Sequence, residues 1–410
     1  MKIQPVRGTH DLFGDQLLKY KKIQDIVNKY AKLYDFNEIV TPIFESTDLF
    51  KKPLGEHSDV VLKEMYTFID RNESSLTLRP EHTTPMLRAS ISNNFLEKLP
   101  QKLYGIGPVF RRERPQKGRY RQFNQINFEI LGTQDAMADV DIILLADSIL
   151  KNLCPNKKIN LHINSLGDKN TLKVFKSALT NYFSKYINEI SEESKNKIKT
   201  NPIRILDSKN LKDIEINKSA PKIAEFYSDF AKNLFEEVKE LLSEVSVDFI
   251  IDPQLVRGLD YYCHTVFEFK TDELGSQDTL IGGGRYDGLI KLLGGSDVPG
   301  VGWAGGIERI IMLMQNLSIK EKKIYLIVID EKSKKYGLKI ATELRNNNIN
   351  VYSDYKYNLK KSLSKANQLN FQKAIIIGED EVRNNTYIIK NLNKNTQEIF
   401  PLSKINKEIV

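Results

Sequence analysis

A chain of 410 residues with 40% hydrophobic side chains has material for two or three packed domains, and its net charge of +8 points toward a polyanionic partner. Two cysteines, Cys154 and Cys263, exclude a disulfide framework and a CxxC metal knuckle, and imply a reducing compartment. The opening MKIQPVRGTHDLFG has no apolar leader core and no run approaches the ~18 apolar residues that span a bilayer, so a cytoplasmic protein with no membrane partner is expected. The excess charge is local: residues 322–410 carry 17 Lys+Arg against 9 Asp+Glu, which accounts for all of it. A balanced body with a basic tail suits an enzyme that holds a nucleic acid at a second site, although lysine-rich surfaces also serve solubility alone.

Residues 16–34 place Ile23, Ile26, Val27, Tyr30, Ala31 and Tyr34 at helical spacing, which predicts an amphipathic helix with one buried stripe. A strand over 36–45 is interrupted by Pro42, which donates nothing to a ladder and belongs at a sheet edge, a strand end or an interface. Strands at 66–70 and 76–79 form a predicted hairpin, ended by Pro80, which hands over to a helix opening on Glu81-His82-Thr83. Glu81 and Thr83 either cap that helix or receive a ligand ammonium, and the segment alone favours the cap.

The rest of the chain is organised around residues 105–132. Strands over 102–110 and 122–130 flank a tip in which Arg111, Arg112, Arg114, Lys117, Arg119 and Arg121 face a single acid, Glu113. A period of two puts Gln125, Asn127 and Glu129 on one face of the second strand and Ile126, Phe128 and Ile130 on the other. Carboxylate and amides suit a small amine or cationic ligand, and guanidinium forks suit a polyphosphate beside it. The alternative is a solvated surface hairpin.

A buried helix over 138–153 and a short strand over 159–164 precede a helical region at about 168–245, less regular around 191–217. It reads as an insertion that leans on a nucleic acid or as a tolerated surface excursion. At 255–262, LVRGLDYY presents a cation, Arg257, at a sharp turn and two rigid hydroxyls, Tyr261 and Tyr262, before a strand over 265–269. A loop salt bridge with core tyrosines is an equal reading, and the neighbouring His264 reads as structural. The next strand ends in Gly282-Gly283-Gly284, which permits close approach of backbone to a ligand. A glycine-rich strand over 299–306 then feeds a helix with an apolar stripe of Ile307, Ile310, Ile311 and Met314. Arg309 points off that stripe in the first turns, opposing the helix dipole unless an anion is near, so it is a phosphate candidate. Beyond 322, strands at 324–329, 349–352 and 374–377 alternate with helices and a last strand follows at 387–390, a small doubly wound α/β domain. It has no phosphate-loop motif, so binding is expected of it rather than nucleotide hydrolysis.

Taken together, GPVFR (107–111), ERPQKGRYRQF (113–123), LVRGLDYY (255–262), GGRYD (283–287) and GGIER (305–309) closely resemble the histidyl-tRNA synthetases of bacterial type. The resemblance runs nearly end to end. It takes in VRGTHD (6–11), Thr41-Pro42 as the dimer-forming motif 1 of class II synthetases, and Arg204-Ile-Leu-Asp-Ser-Lys209 in the insertion.

The resemblance implies an α+β catalytic core over 1–320, an antiparallel sheet flanked by helices with the helical insertion inside it, and an anticodon-binding α/β domain over 322–410. It implies activation of L-histidine by ATP with Mg²⁺, transfer to the 3′ end of tRNA(His), and a homodimer built through motif 1. Arg111 and Arg257 would be the catalytic arginines, at the α-phosphate. Glu81, Thr83 and Gln125 would hold the α-amino group, Glu129 and Tyr262 would face the imidazole nitrogens, and Arg257 and Tyr261 would complete the histidine set. Arg111, Glu113, Arg119 and Arg309 would bind ATP, with Arg309 on the γ-phosphate, and no side-chain motif marks a metal site apart from Mg²⁺ carried by ATP. His82, Asn124 and Asn127 depart from the family's usual residues. A synthetase-like regulatory subunit of histidine biosynthesis would lack the basic C-terminal domain and the intact arginine-bearing loop at 111–121, the family's motif 2, both of which are present here.

Overall fold

A computed structural model describes residues 3–54, 61, 64–317 and 323–405. The chain divides into two compact units, 1–317 and 318–410; the expected boundary at 320–322 lies outside the described residues.

In the first unit, α1 (Gly14–Leu33) buries Ile23, Ile26, Val27 and Ala31, while Tyr30 and Tyr34 pack only at its margin. The strand expected over 36–45 is two strands in two sheets, β1 (Asn37–Glu38) and β2 (Phe44–Ser46). The break falls at Thr41-Pro42, whose carbonyls are claimed by a side chain: Arg79 Nη1 donates to Thr41 O at 2.7 Å and Pro42 O at 3.3 Å. After α2 (Asp48–Leu54), β3 (Tyr66–Ile69) and β4 (Ser75–Leu78) form the predicted hairpin, with β2 on the far edge of β4.

Then follow α3 (Thr83–Ser92), the long hairpin β5 (Gln101–Phe110) and β6 (Gln122–Leu131), α4 (Ala136–Leu153) and β7 (Asn160–Ser165). The insertion is helical, as expected: α5 (Lys169–Lys185), α6 (Glu192–Thr200), α7 (Leu211–Asn217) and α8 (Asp229–Glu244), with short 3₁₀ turns at Pro202–Ile205 and Ile223–Phe226. The unit closes with β8 (Ile250–Ile251), β9 (Cys263–Lys270), β10 (Thr279–Arg285), α9 (Leu289–Leu292), β11 (Gly300–Gly306) and α10 (Ile307–Leu313). The three glycines expected to end a strand lie inside β10, which runs on to Arg285.

Among the described residues these strands make an eight-stranded sheet, β1-β5-β6-β11-β10-β9-β7-β8, antiparallel except at its two ends, where β1 joins β5 and β8 joins β7 in parallel. Its inner face packs Ile126, Phe128, Ile130 and Trp303 against α1, α4 and α8, and this is the main core. α8 supplies Leu234, Phe235, Val238 and Leu242 at the spacing of one helical face. The other face carries Gln125, Asn127 and Glu129, opposite Gly107, Gly105 and Leu103 of β5. It is polar as the alternation predicts, yet all three residues are buried. A second core joins Phe175, Leu179 and Phe183 of α5 to Val256, Tyr262 and Tyr286, so the insertion buttresses the loop that carries the tyrosines.

The second unit is a five-stranded sheet: β12 (Lys323–Val328), β13 (Asn350–Ser353), β14 (Lys373–Ile377), β15 (Thr386–Asn391) and β16 (Thr396–Pro401), with α11 (Lys334–Asn346), α12 (Leu359–Gln368) and α13 (Glu379–Asn384) between them. The order is β13-β12-β14-β15-β16, the first three parallel and the last two antiparallel. Apolar clusters occupy both faces, as a doubly wound domain requires. The strand β16 has no counterpart in the sequence-based expectation, because five of its six residues are exposed and it holds its place by pairing with β15.

Candidate active site

The polar face of the large sheet opens into a cavity, and the residues expected to bind ATP (Arg111, Glu113, Arg119 and Arg309) all line it. So do Glu81, Thr83, Gln125, Arg257, Tyr261 and Tyr262 of the expected histidine set. Glu129 does not. It is fully buried, with Oε1 accepting from the Thr83 hydroxyl at 2.7 Å and Oε2 accepting from the Tyr286 hydroxyl, so no edge of it reaches the cavity wall. Asn127 is also enclosed, its Nδ2 3.4 Å from Thr83 Oγ1.

Each arginine is fixed by backbone carbonyls or by an acid. Arg111 leaves the end of β5, donates through Nε to Pro80 O at 2.9 Å and lies 5.5 Å from the centre of the Phe123 ring. Arg309, in the first turn of α10, donates to Gly118 O at 3.0 Å and Thr279 O at 2.7 Å, which ties the hairpin tip to β10. Arg257 is ion-paired with Glu268 and sits 5.5 Å from the centre of the Tyr262 ring. Of the other tip residues, Arg119 pairs with Glu113 and, at 3.6 Å, with Glu64, while Arg112, Arg114 and Lys117 are exposed.

The electrostatics of the arginines mark an anion site. Burial, then Arg111 and Arg119, hold the Arg309 guanidinium below its ordinary pKa, and Arg111 is lowered by burial with Arg257 adding to it. Like charges gathered in a half-closed cavity are stabilised by a polyanion. Burial opposes the charge on Arg257 as well, but Glu268 foremost, then Tyr262 and Tyr261, keep its pKa above the usual value. Gly282 of β10 gives it room: a Cβ there would meet the Arg257 guanidinium.

Glu81 behaves as the cap that its sequence position favours. Its carboxylate accepts from the backbone N–H of Thr83 at 2.7 Å and of Thr84 at 2.8 Å, although it also faces the cavity. Thr83 caps nothing; its hydroxyl turns to Glu129. Gln125 Oε1 is buried with no hydrogen-bond partner, an acceptor waiting for a donor on the cavity side. Tyr261 and Tyr262 stack obliquely, with ring centres 4.6 Å apart. Burial pushes the Glu129 carboxyl up to about 8, although the bonds from Tyr286 and Thr83 pull the other way.

Three structural partners of this site escape a residue-by-residue reading. Tyr286 reaches Glu129 from the GGRYD segment, where only the glycines and the family motif draw notice. Glu308 accepts from the backbone and side-chain amide of Asn124 at 3.0 and 2.9 Å, locking α10 to β6. Arg285, for all its place in a motif, is structural: it is fully buried, paired with Asp139, and donates to Thr133 O at 2.7 Å. The insertion also touches the site, since Arg204 donates to Gly258 O and Asn201 Nδ2 to Asp260 at 3.0 Å, on either side of Leu259.

An antiparallel sheet that presents spaced arginines over one cavity, joined to a separate basic α/β unit, is the construction of an aminoacyl-tRNA ligase. The family model for histidyl-tRNA synthetase matches residues 8–310, and that for the anticodon binding domain matches residues 323–410. The histidine--tRNA ligase of Wolbachia pipientis subsp. Culex pipiens is 44% identical over 409 residues, covering 100% of both chains. Apo histidyl-tRNA synthetase of S. aureus superposes with a TM-score of 0.81 at 31% identity, with 100% of each chain covered. The chain belongs to the histidyl-tRNA synthetase family. An ATP phosphoribosyltransferase regulatory subunit/histidyl-tRNA synthetase from Bacillus halodurans C also superposes, with a TM-score of 0.64 over 92% of this chain and 99% of that one. At 20% identity, that likeness is one of fold alone.

Proposed function

We propose that the cavity activates L-histidine with ATP, releasing pyrophosphate, and then passes the histidyl group from the adenylate to the 3′ end of tRNA(His). One observation carries the reading: Arg111, Arg257 and Arg309, from three distant segments, converge on one cavity that Glu81, Gln125 and two tyrosines also line. Arg111 holds the α-phosphate and Arg309 the γ-phosphate, while Arg257 neutralises the charge that grows as the histidine carboxylate attacks the α-phosphorus. Glu81, Thr83 and Gln125 receive the α-amino group, the unpartnered Gln125 oxygen taking one of its hydrogens. The imidazole lies beside Tyr261 and Tyr262, which line the cavity, while Glu129, enclosed and bonded to Thr83 and Tyr286, supports that wall instead of touching the ring. Glu113 and Arg119 shape the loop over ATP. No covalent intermediate on the protein is needed, because alignment and charge neutralisation supply the rate.

Mg²⁺ fits as a companion of the nucleotide rather than as a protein-caged ion. The carboxylates nearest the arginines, Glu113 and Glu268, are already ion-paired with Arg119 and Arg257, so the metal would rest mainly on phosphate and water with Glu113 at its side. Bound there, it would neutralise phosphate charge.

The basic unit over residues 323–410 takes the anticodon stem, consistent with its charge excess. A homodimer forms through the motif 1 segment, where Val40, Ile43, Phe44, Phe68 and Ile69 are exposed around one small sheet. No helix among the described residues is long and apolar enough to cross a membrane, and we assign the reaction to the cytoplasm, where its substrates are. The test is ATP–pyrophosphate exchange with each of the twenty standard amino acids. L-histidine alone should support exchange; exchange with another amino acid, or none from folded protein with Mg²⁺, overturns the assignment.

A further inference from the structure

We propose that Cys263, His264 and Asp287 form a site for one thiophilic divalent cation of the zinc class, placed directly behind Tyr262 and Tyr286. Among the described residues, the Cys263 sulfur, a ring nitrogen of His264 and a carboxylate oxygen of Asp287 all lie within 4.8 Å of one another. With metal–ligand bonds of 2.0–2.3 Å, tetrahedral zinc ligands stand roughly 3.5 Å apart, so a small inward movement closes the set. Sulfur, imidazole and carboxylate are the donors zinc prefers, and three protein ligands leave a fourth position for water.

The cluster has two marks of a ligand site beyond proximity. His264 is 6% exposed, and its Nδ1 is buried without a hydrogen-bond partner, an uncompensated polar atom in a packed region. The backbone is also bent to place it. Register between β9 and β10 shifts at Gly284/Arg285, where Gly284 pairs with Val266 and Arg285 with Cys263, and His264 in the resulting bulge has φ of 47°. A non-glycine residue seldom adopts that conformation. It is held by two backbone bonds of 2.7 Å, His264 N to Gly167 O and Leu166 N to His264 O.

Charge points the same way. Asp287 lies 3.6 Å from Arg285, but Arg285 is already paired with the buried Asp139, so carboxylates outnumber guanidinium by one. A divalent cation that binds with release of the Cys263 proton to solvent brings the group to neutrality. Cys263 is unbridged and buried, and the Phe230 ring stands nearly perpendicular to that of His264 with ring centres 5.5 Å apart. The metal would join the start of β9, directly after Tyr262, to the residue directly after Tyr286, and so brace both tyrosines from behind.

The experiment strips the full-length protein with chelator under reductant and titrates it with Co²⁺. One equivalent per chain should produce a sulfur-to-cobalt charge-transfer band in the near ultraviolet and visible bands of tetrahedral strength, both bleached by Zn²⁺, and Zn²⁺ should raise Tm by several degrees. Cys263→Ser should lose the charge-transfer band, and Cys154→Ser should keep it. If Cys263→Ser fails to fold, Asp287→Asn is the second variant and should weaken the visible bands and shift their positions. A folded wild-type chain with no such bands, or bands that survive Cys263→Ser or vanish in Cys154→Ser, overturns the proposal. The readout is the metal itself, so the result stands apart from the ligase assay.

Discussion

Tyr286 and Glu129, 157 residues apart in the chain, share a hydrogen bond in the dry floor of the site, and the other Glu129 oxygen is held by Thr83 at 2.7 Å. Burial dominates the pair's electrostatics, lifting the carboxyl from its ordinary 4.5 to about 8. Between those values the folded chain keeps a proton that the unfolded chain has lost. The stability this contributes is full below pH 4.5 and is lost as pH rises through 8. Glu129→Gln removes the titration, so measured against the wild type it should gain on the order of 4 kcal/mol between pH 4.5 and pH 8.5. Urea unfolding at pH 5 and pH 8.5 checks this; a difference that stays constant with pH would mean that Glu129 is ionised throughout.

The Cβ of an alanine at position 282 would collide with the tip of Arg257, a flexible group that can swing away. Gly282→Ala should therefore fold with stability within ~1 kcal/mol of the wild type, yet slow ATP–pyrophosphate exchange about 10²-fold by displacing the guanidinium. Arg257→Ala should slow it by about 10²–10³-fold, mainly in kcat. A Gly282→Ala enzyme of normal kcat would separate Arg257 from the chemistry.

Arg285 and Asp139 are a fully buried ion pair. Removing one partner strands a charge, so Arg285→Met should cost ~3–5 kcal/mol in denaturant unfolding, while Arg285→Met with Asp139→Leu should recover much of that loss. Equal losses in the single and double variants would locate the cost in the bond from Arg285 to Thr133 O instead.

Val40 is 81% exposed in the segment that Arg79 pins at Thr41 and Pro42. Val40→Asp should weaken the proposed homodimer by at least 10-fold in dissociation constant, read by sedimentation equilibrium. An unchanged association state would place the interface elsewhere.

The long hairpin was legible because its signals are local. Alternation over Gln125–Glu129 needs only neighbouring residues, and β5 and β6 begin and end within one residue of their expected bounds. The cavity-lining arginines were legible for a related reason, since each sits beside glycine or a turn that has little other use. What the sequence withheld depends on partners far along the chain. Nothing near Tyr286 or Arg285 announces Glu129 or Asp139, and nothing near Glu129 shows that its two oxygens are already engaged. The division of residues 36–45 between two sheets is hidden likewise, because the guanidinium that claims its carbonyls belongs to Arg79.

Beside Arg257 runs a strand with three consecutive residues that have no side chain. Added carbon at Gly282 would strike Arg257, at Gly283 the backbone of Gly302 and the body of Trp303, and at Gly284 the carbonyl of Thr265. This stretch is thus shaped by omission: any side chain there would take space already filled by Arg257, Trp303 or the Thr265 carbonyl. Room for a different side chain lies instead with lining positions that already carry one, the tyrosines and Gln125 among them.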